Sequence, residues 1–213
     1  HIWGKSCTGW VKMVGALPVQ EPTIDSLEGD LAHLIGEREL LRASGRVFGA
    51  IPMVGEIKDG VVVTQEMADV VKVYVEDVLK VMVQGYKALG IEDKIEIPDV
   101  HPECFGTCDC WILTNDGILV VWDFKYGHKF VNVEYNPQHT CYASGLIRRL
   151  GLPPETKVVF AVVQPRTFTP EGPIRVWNTT AQEIWTASQV MAANAKRAMD
   201  LTQATLITGP HCY

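Results

Sequence analysis

Residues 106–142 read GTCDCWILTNDGILVVWDFKYGHKFVNVEYNPQHTCY, and this stretch decides the fold. Thr114-Asn115-Asp116-Gly117 is turn chemistry between two apolar runs rich in β-branched and aromatic residues, which predicts a β-hairpin. A turn centred on Asp116 sets Asp109 opposite Asp123, with Cβ atoms roughly 5 Å apart. A slip of one residue would send the two acids to opposite faces, so the expectation hangs on the turn. Alternation then puts Lys125 on the face of Asp123, and Trp111 on that of Asp109. Two carboxylates and an ammonium thus converge at one end of an apolar face formed by Leu113, Leu119 and Val121. Burying two like charges together is costly unless a cation lies between them, and Mg²⁺ or Mn²⁺ suits carboxylate oxygens. Taken alone, Asp-x-Lys reads equally as a charge pair at a surface edge; the opposed Asp109 favours the cation.

The hairpin leads into a helix. Asn136 is a good N-cap and Pro137 a good first helical residue, and Gln138 and Tyr142, four apart, share one helix face. The order Gly106-x-x-Asp109, Asp123-x-Lys125, Gln138-x-x-x-Tyr142 resembles the RecB-type branch of the PD-(D/E)XK nuclease superfamily, which includes CRISPR-associated RecB-like exonucleases and phage proteins. The segment Glu28-Gly29-x-x-x-His33 is similar to the family motif in which a helical histidine completes the metal shell.

The resemblance implies a metal-dependent deoxyribonuclease, an exonuclease acting on DNA ends. Asp109, Asp123, Lys125, Gln138 and Tyr142 would be catalytic; His33, Asp109, Asp123 and the Phe124 carbonyl would hold Mg²⁺ or Mn²⁺. An imidazole ligand tilts the preference to Mn²⁺. Family members often carry an acidic residue on the preceding strand, which points to Glu96. Iron–sulfur members join one N-terminal cysteine to three near the C-terminus around a [4Fe–4S] cluster. Cys7 and Cys212 match two of these positions, so a cluster requires further C-terminal cysteines beyond Tyr213. DNA is the implied partner, an oligomer is allowed, and the location implied is the cytoplasm of a bacterial or phage-infected cell. The alternatives are a non-cleaving DNA-binding protein on the same fold and an iron–sulfur protein.

Composition agrees with one domain over 1–213, whose termini can be truncated, since the chain starts at His1 rather than Met. Its 213 residues suffice for a substantial core, and 47% hydrophobic with 21% charged residues is ordinary for a globular domain. No apolar run approaches a membrane span. A net charge of −6 does not advertise nucleic-acid binding, although Lys125, His128, Lys129, Arg148 and Arg149 form local basic clusters. Cys104, Cys108, Cys110 and Cys141 read as small buried hydrophobes rather than a zinc site, because alternation sends Cys108 and Cys110 to the face opposite Asp109.

Outside the hairpin, Asp25 to Ala43 predicts a helix opened by an Asp25/Glu28 capping box, with Glu37 either orienting His33 or solvated. A short hairpin is expected at Lys58-Asp59-Gly60. A helix capped by Thr64 should run to about Leu89 and stop at Gly90, followed by a strand over Lys94–Val100. Thr156–Gln164 predicts a central strand covered on both faces, and Ile174–Asn178 a shorter one. Thr180-x-x-Glu183 opens a last helix to about Gln203. Arg166 either meets phosphate or is solvated. The expected fold is α/β, a mixed sheet of about five strands flanked by helices with the cleft at one sheet edge, the restriction-endonuclease-like core.

Overall fold

The computed structural model describes residues 21–46, 49–200, 202, 204 and 205. The elements are α1 (Ile24–Ala43), β1 (Ile57–Lys58), β2 (Val61–Val62), α2 (Gln65–Met82), β3 (Tyr86–Glu96), β4 (Phe105–Thr114), β5 (Leu119–Phe124), α3 (Pro137–Leu150), β6 (Lys157–Val163), β7 (Ile174–Thr180) and α4 (Ala181–Met199). The fold is mixed α/β. A five-stranded sheet in the order β3-β4-β5-β6-β7 is antiparallel except between β5 and β6, which run parallel with α3 as their crossover. None of the helices is long and apolar enough to cross a membrane, among the described residues.

Each face of the sheet carries its own core. Leu31, Ile35 and Leu40 of α1 and Met67, Val71, Tyr74 and Val78 of α2 pack on Cys110, Ile112, Val120, Trp122 and Phe124. Cys141, Tyr142 and Leu146 of α3 and Ile184 and Met191 of α4 pack on Trp111, Leu119, Val121, Phe160 and Val162. β5 is consequently buried along its whole length, as a strand between two helical layers must be.

The β4–β5 hairpin has the expected register. Cys110 pairs with Trp122 and Leu113 with Leu119, so one step further Asp109 faces Asp123. Asn136 caps α3 by accepting from the Gln138 amide at 2.9 Å, and Pro137 is the first helical residue. Thr180 and Glu183 form the reciprocal capping box of α4, which ends at Met199 rather than near Gln203. The short hairpin turns through Asp59 and Gly60, both left-handed.

Several expectations need correction. The cap of α1 is Thr23, whose hydroxyl accepts from the Ser26 amide, not an Asp25/Glu28 box. α2 stops at Met82 and the chain turns at Gly85 (φ +89), seven residues before the expected end. Tyr86–Glu96 is therefore strand, and Gly90 lies inside it because the Trp111 indole crosses there: a Cβ would sit 2.0 Å from its Nε1. The strand's apolar positions Leu89, Ile91 and Ile95 fit a period of two. β6 is covered on both faces but stands next to the sheet edge, with β5 in the centre. Cys108 and Cys110 do not share a face: Cys108 joins the core under α3, and Cys110 the one under α1 and α2.

Candidate metal centre

The break in alternation between Cys108 and Cys110 builds the site. Along β3, Leu89 and Ile91 pack toward α1 and α2, whereas Ile95 packs toward α3. Between them Glu92 adopts φ +44, a left-handed angle that a glutamate rarely takes. β3 and β4 pair Ile91 with Cys110 and Asp93 with Cys108, so Glu92 falls opposite Asp109. The two strands lose alternation at facing positions while their register stays unbroken, so the twist is local to Glu92 and Asp109. Asp109 accordingly does not share a side with Trp111 but reaches toward α1.

There it meets the helical histidine. His33 Nδ1 lies 3.5 Å from Glu92 Oε1 and 3.7 Å from Asp109 Oδ1. The three ligand atoms of His33, Glu92 and Asp109 all lie within 4.8 Å of one another, a spacing that can hold a metal ion. The other Asp109 oxygen accepts from the Phe124 amide at 2.6 Å, which ties the cluster to β5. The Phe124 ring lies 5.2 Å from His33 and stacks on Tyr74, fixing the imidazole's surroundings.

A second chain of groups starts at Asp123. Its Oδ1 accepts from Lys125 Nζ at 2.8 Å, Lys125 also donates to Gln138 Oε1 at 3.3 Å, and Gln138 donates to the Tyr142 hydroxyl at 2.9 Å. The expected set Asp123, Lys125, Gln138 and Tyr142 is thus one continuous hydrogen-bonded relay. Gly106 completes it, since a Cβ there would come 2.6 Å from the Tyr142 ring. His139 joins from α3, its Nε2 3.3 Å from Asp123 Oδ2. That contact is not aligned as a hydrogen bond, and Asp123 Oδ2 has no other partner among the described residues.

The electrostatics follow from burial. Burial lifts the Asp109 carboxyl to about 7, helped by Asp123 and Glu92 and opposed by His33. For His33 burial disfavours the imidazolium, but the hydrogen bond to Glu92 and the fields of Asp109 and Glu92 outweigh it and raise its pKa. Burial also works against the Asp123 carboxylate, yet His139 and Lys125 overcome it and hold its pKa below the usual range. Glu37 is half-buried and raised by burial and by Glu92.

Of the expected trio His33, Asp109 and Asp123, the first two lie at metal-binding spacing, and Glu92 joins them there. Asp123 stands beside that cluster, engaged with Lys125 and His139. Glu96 is exposed and plays no part. Glu92 is legible only once β3 is known to begin at Tyr86; the local signal is an acid on the strand next to the hairpin. His139, completely buried, was also missed. Arg166 is not merely solvated: its Nε lies 3.0 Å from Glu66, a nitrogen 3.7 Å from Glu28, and its guanidinium covers Tyr126. Cys7 and Cys212, the expected cluster ligands, lie outside the described residues.

The donor set fits a divalent ion. It combines a histidine with carboxylates, burial that makes Asp109 reluctant to ionise alone, and one buried Asp123 oxygen without an aligned donor. The family described as "Protein of unknown function (DUF2800)" matches residues 1–213, and the chain belongs to it. No curated protein matches the chain.

Proposed function

We propose that this member of the family is a metal-dependent deoxyribonuclease of the RecB type within the PD-(D/E)XK superfamily, an exonuclease hydrolysing phosphodiesters at DNA ends. One observation carries the reading: a three-ligand cluster and an acid–ammonium–amide relay occupy adjoining positions of one row, Glu92–Asp109–Asp123, at the end of a buried sheet. A purely structural role would leave these buried charges costly and unexplained.

His33, Glu92 and Asp109 would hold Mn²⁺ or Mg²⁺, with Asp123 and the Phe124 carbonyl as oxygen donors from β5. When bound, such an ion acidifies a water and offsets charge on the scissile phosphate. Lys125 supplies a positive charge at the same place, to position or deprotonate the attacking water and to balance charge developing on phosphorus. Gln138 fixes the Lys125 ammonium, Tyr142 fixes Gln138, and both face the strand being cut. His139 buttresses Asp123 from the helix side.

The test is release of nucleotides from end-labelled linear DNA and from a covalently closed circle, with Mn²⁺, with Mg²⁺ and with a chelator. Cleavage of the linear form that needs metal and drops at least about 100-fold in Asp123→Ala and Lys125→Ala is expected. Variants that cut as well as the parent would sink the assignment. Tight DNA binding without cleavage in any metal would instead identify a non-cleaving DNA-binding protein on this fold.

A further inference from the structure

The two edges of the sheet are finished differently. β3, on one side, breaks its register at Lys87 and carries Glu92, Asp93, Lys94 and Glu96. Such charges and irregularities keep an exposed edge from recruiting another strand. β7, on the other side, reads IRVWNTT, with no lysine, no acid and no proline. It runs beside β6 without a register break, and β6 is its only strand neighbour among the described residues. Its one charged residue, Arg175, is buried, whereas Val176 is 51% exposed.

Hydrogen bonds at both ends of the β6–β7 ladder fix which backbone groups are open. The Gln164 amide donates to the Pro173 carbonyl at 2.8 Å, and the Ala181 amide to the Thr156 carbonyl at 2.9 Å. Bonded and non-bonded pairs alternate along an antiparallel ladder. Arg175, Trp177 and Thr179 therefore bond to β6, and Gly172, Ile174, Val176, Asn178 and Thr180 point their backbone groups away from it. The chain occupies the two end positions itself. The Gly172 amide donates to the Thr169 carbonyl at 3.0 Å, and the Thr180 amide to Glu183 Oε2 at 3.2 Å, inside the capping box of α4. Between them lie Ile174, Val176 and Asn178, an open window centred on Val176.

A window of this kind is complementary to itself. Turned about a twofold axis through Val176, a second β7 sets Val176 against Val176 and Ile174 against Asn178, each pair exchanging both backbone bonds. The intervening pairs set Arg175 against Trp177, on the side of the sheet where Trp177 packs with α3 and α4. The single charge of the strand thus meets an aromatic ring and no like charge. We propose that β7 is the interface of a symmetric dimer, in which two copies of this chain pair their edges antiparallel about Val176 and join two sheets into one. The same patch is used on both copies, so assembly stops at two and does not grow into a ring or fibre. So short a ladder buries little surface, which sets the dissociation constant in the micromolar range. The pairing does not depend on the nuclease reading.

The experiment is sedimentation equilibrium of the full chain across the micromolar range. The parent should pass from monomer to dimer with rising concentration. Val176→Lys and Val176→Asp each place two like charges side by side on the axis and should weaken the dimer at least about tenfold. An equimolar mixture of the two variants should recover it, because lysine then faces aspartate. Val190→Lys, at an exposed position of α4, should dimerise like the parent. Thermal melting of each variant alone shows that the monomer still folds, since the Val176 side chain is half exposed. A parent that stays monomeric throughout, or that forms a ring of more than two copies, would overturn the proposal. So would a dimer that Val176→Lys leaves intact, or one that the mixture of charged variants fails to restore.

Discussion

Glu92 carries a left-handed backbone angle at a position where glycine would be at ease, and a glutamate there costs on the order of 1 kcal/mol. Its side chain faces Asp109 and His33, so the strain accompanies a candidate ligand. Glu92→Gly is accordingly expected to stabilise the metal-free protein by up to about 1 kcal/mol while weakening Mn²⁺ binding at least about tenfold. Thermal melting and calorimetry read the two effects separately, and a variant that lost stability but kept Mn²⁺ would show Glu92 to be structural. Asp109 and Asp123 differ in sign. The Asp109 carboxyl, raised from 3.8 to about 7, contributes stability to the metal-free protein that is present below about pH 4 and lost as pH rises through 7. Asp123, held below the ordinary range, contributes stability present above that range and lost as pH falls through its folded pKa. The proton on Asp109 must leave before a cation is bound, and His33, raised above 6.5, adds to the same demand. Mn²⁺ affinity should therefore fall by about tenfold to a hundredfold per pH unit below about pH 7, for one to two protons displaced, and level off above the two pKa values. Calorimetry across this range checks the slope, and a flat profile would contradict the buried environment assigned to Asp109.

At the level of elements, the site depends on two close fits. The hairpin brings Asp109 to Asp123, and α3 docks its Tyr142 onto the bare backbone of Gly106. Gly106→Ala would press a methyl into the Tyr142 ring, at a cost of about 1–3 kcal/mol, and would displace the hydroxyl from Gln138. The double variant Gly106→Ala/Tyr142→Ala should cost less than the sum of the single changes, because the clash is gone. Additive losses in chemical denaturation would mean that the two residues do not bear on each other. The break in alternation at Glu92 and Asp109 acts at the same scale. It lets one strand pair feed His33 on the α1 side, while the next position of the row, Asp123, keeps to Lys125 and His139 on the α3 side. The hairpin register was legible because turn chemistry is local. The break in alternation was not, since no residue in Ile91–Asp93 or Cys108–Cys110 departs from an ordinary strand composition.

Across the whole molecule, the candidate centre joins a helix of one layer to two strands of the sheet. An ion held by His33, Glu92 and Asp109 would fasten α1 to β3 and β4, so Mn²⁺ should slow hydrogen exchange in α1 more than in α4, which lies on the other face. At a free concentration of 100 times the dissociation constant the gain is about 2.7 kcal/mol, readable as a rise in melting temperature that Glu92→Gly abolishes. Equal protection of both helices would argue against a tie at that place. The sequence by itself determined the alternation of strands and helices after Gly106, the pairing of Asp109 with Asp123, and the cap and first turn of α3, because turns, caps and periodicity are written in neighbouring residues. Only the tertiary structure decided that Glu92 rather than Glu96 reaches the cluster and that Asp123 leans on His139. Those outcomes turn on where a helix stops and which side of the sheet a strand residue presents, and both are settled by packing between residues far apart in the chain.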